Sequence, residues 1–177
     1  MGTGFGINSR PAQPVTVVTD TSVVLNLCLI GQQELLRLLY GRIMAPTMVV
    51  VEFQRLAAED ARFQGLAFPH FIEKAAPLQL LPALTASSRL DAGEVAALSL
   101  AVERQADAVL MDEQAGRAAA ASLGLRTIGL LGVLRDAKEQ SLIPAVAPLL
   151  DRLEKEADFW ISTSLRNIVL KSAGEIS

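Results

Sequence analysis

The stretch Val15-Thr16-Val17-Val18-Thr19-Asp20-Thr21-Ser22 decides how the rest of the chain is read. Its β-branched apolar run, bounded by Pro14 and Asp20, predicts a short buried strand that ends on a carboxylate. The same pattern returns in Ala108-Val109-Leu110-Met111-Asp112-Glu113, a predicted strand over 108–111 closed by Asp112. Between them, residues 41–45 predict a further strand, and Pro46 and Thr47 open a helix through 56 with Pro in its first turn, where a missing N–H is harmless. Ser22 is the expected cap of a helix over 23–29, and Gly31 separates it from a second helical stretch over 33–39. Residues 91–103 predict a helix with Val95, Leu98, Ala101 and Val102 along one face. A helix over 113–123 ended by Gly124, a strand over 125–128 and helices over 129–140, 145–155 and 162–172 complete the chain. The segment 59–88 is the least legible, with two possible short strands at Phe71-Ile72-Glu73 and Leu78-Gln79-Leu80-Leu81.

Short buried strands alternating with helices predict an α/β fold, a three-layer sandwich around a central, mostly parallel sheet. In open sheets of that kind the ligand crevice lies beyond the carboxyl ends of the strands. Asp20 and Asp112 each follow a strand and so belong to that edge, and Glu52 and Glu94 are expected to line it from the starts of helices.

With 177 residues, 51% of them apolar, the chain can bury the core of one ordinary domain. Residues 1–14, rich in Gly, Pro and Asn, predict a flexible leader rather than a signal peptide, with one domain over 15–177. No apolar run reaches the roughly 18 residues of a membrane span, so a soluble protein without a membrane partner is expected. A single cysteine, Cys28, cannot form an internal disulfide, and the cytoplasm is the expected compartment. The net charge of −3 includes the acids of interest, and 12 of the 16 basic residues are Arg, the side chain best shaped for phosphate. Charge therefore does not exclude a nucleic-acid partner. Aromatic residues, at 5%, argue against base-stacking platforms of the kind seen in single-strand-binding sheets.

Four carboxylates brought to one sheet edge must be neutralised. A hard divalent cation, Mg²⁺ or Mn²⁺, does so with the oxygen ligands it prefers. Such acidic sites serve metal-assisted phosphodiester chemistry. Each acid also has a plainer reading. Asp20 is a natural helix cap, and Glu52 and Glu94 are acids favoured by a helix dipole. Of Asp112 and Glu113, one starts the following helix, and Asp112, which directly ends the strand, is assigned to the metal. Ser22 has no base at a useful spacing and is read as capping or orienting the carboxylates. The only histidine, His70, is read as a loop residue, and one His with one Cys gives poor support for zinc. Gly129-Leu130-Leu131-Gly132 lacks the spacing of a phosphate loop and reads as tight packing. Arg117 and Lys138 are candidate phosphate contacts, with solvated helix faces as the alternative.

In this order, Thr19-Asp20-Thr21-Ser22, Ala45-Pro46 to Glu52, Glu94 with Ala97 and Ala101 behind it, and the strand ending at Asp112 resemble the PIN-domain nucleases over nearly the whole chain from Val15 onward. Ile128-Gly129-Leu130-Leu131-Gly132-Val133-Leu134, Ala137-Lys138 and Leu142-Ile143-Pro144 are similar to a poorly characterised prokaryotic subfamily of PIN-like proteins. The resemblance implies a Mg²⁺- or Mn²⁺-dependent ribonuclease acting on RNA, often dimeric and frequently the toxin of a toxin–antitoxin pair, with Asp20, Glu52, Glu94 and Asp112 as its catalytic and metal-binding acids. The third acid is Glu94 where Asp is commoner, and Asp91, one turn away, competes for that place. A PIN-like module that binds RNA or an antitoxin with little turnover is the alternative. The apolar set Leu149, Leu150, Leu153, Phe159, Trp160, Ile161, Leu165, Ile168 and Val169 is expected to divide between the core and a homodimer interface.

Overall fold

Val17 and Val18, adjacent in sequence and both fully buried, face opposite sides of one sheet, and the two halves of the core form around them. The computed structural model describes residues 15–177, so the leader expected over 1–14 lies outside the described residues. The strands are β1 (Thr16–Thr19), β2 (Arg42–Pro46), β3 (Glu73–Ala75), β4 (Ala108–Leu110) and β5 (Thr127–Ile128). They pair in the order β3-β2-β1-β4-β5, and each pairing is parallel. Val17 lies opposite Ile43 on one side and Ala108 on the other, so β1 is the central strand. The expected α/β sandwich with a mostly parallel sheet is therefore observed, with the described sheet wholly parallel.

The helices are α1 (Thr21–Leu29), α2 (Glu34–Leu39), α3 (Thr47–Glu59), α4 (Pro82–Thr85), α5 (Ala92–Glu103), α6 (Gln114–Ser122), α7 (Leu130–Glu139), α8 (Ala147–Ala157) and α9 (Thr163–Ser172). Val17, Ile43, Ala45, Ala108 and Leu110 face the core shared with α1, α2, α3, α7, α8 and α9. Val18, Met44 and Val109 face the core built with α4, α5 and α6. Each such fully buried valine contributes roughly 1.5–3 kcal/mol of apolar burial, which fixes register because a one-residue slip would exchange the two faces.

Three expectations are corrected. α1 begins at Thr21 with Asp20 as its cap, not at Val23 with Ser22, because the Asp20 carboxylate reaches the Val23 N–H at 3.2 Å. α5 is buried on nearly every side from Gly93 to Ala101, while Val102, expected on its apolar face, is 37% exposed. It is enclosed between the sheet and α3 and α4, so the one-face pattern does not apply. The possible strand at 78–81 does not form. Pro77 and Pro82 bracket it, the Leu78 N–H donates to Glu103 and the Leu81 N–H to Ser99 Oγ. Its partner expectation survives in part: β3 begins at Glu73 and runs to Ala75. Among the described residues no helix is long and apolar enough to cross a membrane.

Candidate active site

All strands run the same way, so the residue after each strand and the first turn of the next helix collect at one edge. Asp20 follows β1 directly, and its backbone N–H donates to the Leu110 carbonyl at 3.0 Å, tying it to the end of β4. Its carboxylate accepts from the Val23 N–H and, at 3.2 and 3.3 Å, from Ser22 Oγ. Ser22 thus orients the acid rather than capping the helix. Asp20 is only 4% exposed, and its pKa is pushed up to about 8. Burial is the main cause. The Val23 N–H opposes it, and the neighbouring Asp112 and Glu94 charges add to it.

Asp112 lies two residues beyond β4. Its Oδ1 accepts from the Leu130 N–H at 2.9 Å, at the N-terminus of α7, and its Oδ2 is buried without a partner. Burial raises its pKa, against the Leu130 N–H and the Arg117 guanidinium. The approach depends on Gly129: a Cβ there would stand 2.6 Å from Asp112 Oδ1 and 3.0 Å from an Arg117 nitrogen. Gly129 and Gly132 therefore serve close packing, as the sequence suggested.

Glu94 and Asp91 share a capping box at the start of α5. The Glu94 N–H donates to Asp91 Oδ1 at 2.7 Å, and the Asp91 N–H donates to Glu94 Oε2 at 2.9 Å. The division of labour is visible in the remaining oxygens. Asp91 is exposed, whereas Glu94 is buried and its Oε1 has no partner. Burial also raises the Glu94 pKa. Gly116 makes room for it: a Cβ there would lie 2.6 Å from Glu94 Oε1 and 2.3 Å from Met111 Sδ. Gly116→Ala is expected to destabilise the fold by about 1–3 kcal/mol through this overpacking, measurable by denaturant unfolding. A stability equal to wild type would show that Met111 and Glu94 yield without cost.

Glu52 sits in the second turn of α3, half-buried, and its Oε2 accepts from Thr21 Oγ1 at 2.5 Å. Thr21 is a positioning residue that sequence reasoning missed, although its place next to Asp20 was the available signal. Glu113 occupies the cap position of α6 and also lines the acidic pocket, although only the helix-starting role is expected of it from sequence.

Asp20, Glu52 and Glu94 line one pocket of about 270 Å³, together with Asp91, Glu113 and Arg62. Asp112 lines an adjoining groove of about 900 Å³. Among the described residues, no three Asp, Glu, His or Cys side chains form a metal cluster as they stand. Asp20, Glu94 and Asp112 each give one oxygen to a backbone N–H at the start of a different helix. What remains is a set of hard oxygen donors, with two buried oxygens left over. That donor set suits a hard divalent cation.

The other singled-out residues fall outside the acids. His70 is exposed in a loop, edge-on to Phe71. Lys138 donates to the Pro144 carbonyl at 2.6 Å, a contact between α7 and the segment that follows it. Arg117 stands beside Asp112 and is exposed.

No curated protein sequence matches the chain. A family model described as DUF3368: PIN domain matches residues 16–175, which include every strand and every acid considered above. PIN domains are in general nucleases and typically use divalent metals, so the parallel sheet with acids at its carboxyl edge is a nuclease-type fold. The chain belongs to this PIN-domain family.

Proposed function

We propose that the chain is a metal-dependent endoribonuclease that hydrolyses RNA phosphodiester bonds, with residues 15–177 acting as one PIN-like unit. Asp20, Glu52, Glu94 and Asp112 would hold Mg²⁺ or Mn²⁺. The observation that carries this reading is the pair of buried, unpartnered carboxylate oxygens, Glu94 Oε1 and Asp112 Oδ2, beside the buried carboxyl of Asp20, whose pKa burial raises. Leaving such atoms unsatisfied costs stability unless a ligand compensates. When bound, the cation supplies an activated water and charge neutralisation at the scissile phosphate.

The chain's own residues fix the geometry. The Val23 N–H and Ser22 Oγ hold Asp20, Thr21 Oγ1 holds Glu52, the Asp91 N–H holds Glu94 and the Leu130 N–H holds Asp112. Asp20, Glu94 and Asp112 each keep an oxygen free of the backbone N–H that orients them, Glu52 keeps Oε1 free of Thr21, and a countercharge at the site would favour the ionised form of Asp20. The only histidine lies in an exposed loop, so this reading uses no imidazole base.

Incubation of single-stranded RNA with the protein and Mn²⁺ or Mg²⁺ should give internal cleavage that EDTA abolishes. Intact RNA under all conditions would contradict the reading. It would favour the second one, a PIN-like module that binds RNA or an antitoxin with little turnover. That the acids form no ready cluster among the described residues is what speaks for that module.

The third acid can be assigned separately. Glu94→Gln keeps the capping box but removes the charge at Oε1, and should abolish hydrolysis. Asp91→Ala removes the cap, and should cost about 1 kcal/mol of stability with activity retained. The reverse pattern would make Asp91 the ligand.

A cytoplasmic toxin paired with a small antitoxin protein is the biological setting we favour, with a homodimer as the assembly. Leu149, Leu150, Leu153, Ile161 and Val169 are buried in the core, while Leu165 and Ile168 on α9 stay exposed in the groove beside Asp112, where a second copy and any other ligand would compete. Light scattering should return twice the chain mass of 18.9 kDa. A monomer at micromolar concentration would remove the dimer.

A further inference from the structure

The groove that Asp112 lines is built differently from the acidic pocket beside it. Arg117 on α6, Arg126 before β5 and Arg135 on α7 contribute three exposed guanidinium groups, and Phe159 and Trp160 come from the segment before α9. Among the described residues neither Arg117 nor Arg126 has a carboxylate within ion-pair distance, and Arg135 pairs only with its neighbour Asp136. In a chain of net charge −3, three guanidinium groups therefore share one groove, with Arg117 beside Asp112, Arg135 paired to Asp136 and Arg126 without an ion pair among the described residues. Trp160 is 84% exposed, an uncommon position for a large apolar ring.

We propose that this groove is the path of a single RNA strand leaving the acidic centre, with its phosphates on Arg117, Arg126 and Arg135 and an unstacked base on Trp160. The inference rests on the ribonuclease reading and extends it to how substrate is held. Guanidinium groups match phosphate oxygens in a planar fork. An exposed indole offers a face on which any base can stack, and only an unpaired strand has a free base to place there. Continuity with the centre comes from Asp112, which lines the groove, and from Arg117, whose guanidinium stands beside it. The few aromatic residues of the sequence argue against a stacking platform of the kind seen in single-strand-binding sheets. One indole at the end of an arginine-lined wall supports a single stacking point instead.

Trp160 is the only tryptophan in the chain, so its fluorescence reports on this groove directly. Full-length protein in EDTA should show quenching by a short single-stranded oligoribonucleotide and much less by the same sequence as a duplex. The affinity should fall with salt at a log–log slope of about −2, three phosphates at roughly −0.7 each for a single strand. Arg126→Gln should reduce that slope by about 0.7. Trp160→Leu should weaken binding of labelled RNA by roughly tenfold. Both side chains are exposed, so both variants should fold.

Unchanged Trp160 emission with an RNA that the Mn²⁺-loaded protein cuts would overturn the groove while leaving the ribonuclease reading standing. Quenching without any Mn²⁺-dependent cleavage would uphold the groove and remove that reading. Equal quenching by duplex, quenching by a glutamate-rich peptide but not by RNA, or an emission change that follows protein concentration alone would each overturn the proposal. The last two would assign the groove to a partner protein or to a second copy.

Discussion

Asp112→Asn is expected to remove Mn²⁺-dependent RNA hydrolysis while leaving the fold in place. The substitution keeps an oxygen for the Leu130 N–H, so the N-terminus of α7 stays docked on the end of β4. It removes the charge from the buried Oδ2, which has no partner within the protein. A preorganised group that stabilises charge in the transition state is worth on the order of 10²–10³ in rate, so a loss of at least that size is expected. Initial rates on a labelled RNA, with circular dichroism as the control for folding, measure it. A variant with wild-type rates would place the chemistry away from β4. A variant that fails to fold would instead give Asp112 a mainly structural role at α7.

The second large effect is a pH dependence of stability in metal-free protein, and Asp20 is its chief source. Its ordinary pKa of 3.8 applies to the unfolded chain, whereas burial in the folded chain raises it to about 8. Between these values the folded state holds a proton that the unfolded state has released. Stability from this group is therefore fully present below about pH 4 and is lost as pH rises towards 8. Burial shifts Glu94 and Asp112 in the same direction, so the three acids act together. Asp20→Asn should flatten the pH profile and raise the metal-free Tm at pH 8 by several degrees, on the order of 5–10 °C. Mg²⁺ or Mn²⁺ should raise the wild-type Tm by mass action and do so less in the variant. A wild-type Tm that rises between pH 5 and 8 without metal would contradict the burial of an uncompensated acid at this position.

Much of the fold was legible because buried parallel strands are short, β-branched and closed by turn chemistry. Val15 to Asp20 and Ala108 to Asp112 carry that pattern in full, and both strands form close to where they were expected. Errors arose where side chains displaced the local rule. Pro77 and Pro82 kept Leu78 to Leu81 out of the sheet, and the carboxylate of Asp20 took the capping role that Ser22 was expected to fill. Of the site, the strand ends and helix starts that carry acids are legible in the sequence, because those follow from topology. That Asp112 turns into a neighbouring groove and that Thr21 holds Glu52 are not legible there, since both depend on side-chain orientation. The groove itself is assembled from α6, α7, β5 and α9, whose mutual packing no local pattern encodes.

Whether Asp20, Glu52, Glu94 and Asp112 serve one metal centre is open to a single direct measurement. Crystals of the wild-type chain soaked in Mn²⁺ and recorded at the manganese absorption edge should give an anomalous peak among these four carboxylates, in contact with Asp20 and with at least one of the two unpartnered oxygens, Glu94 Oε1 and Asp112 Oδ2. Anomalous signal only at other acids of the surface, or none at millimolar Mn²⁺, would contradict the metal-dependent account.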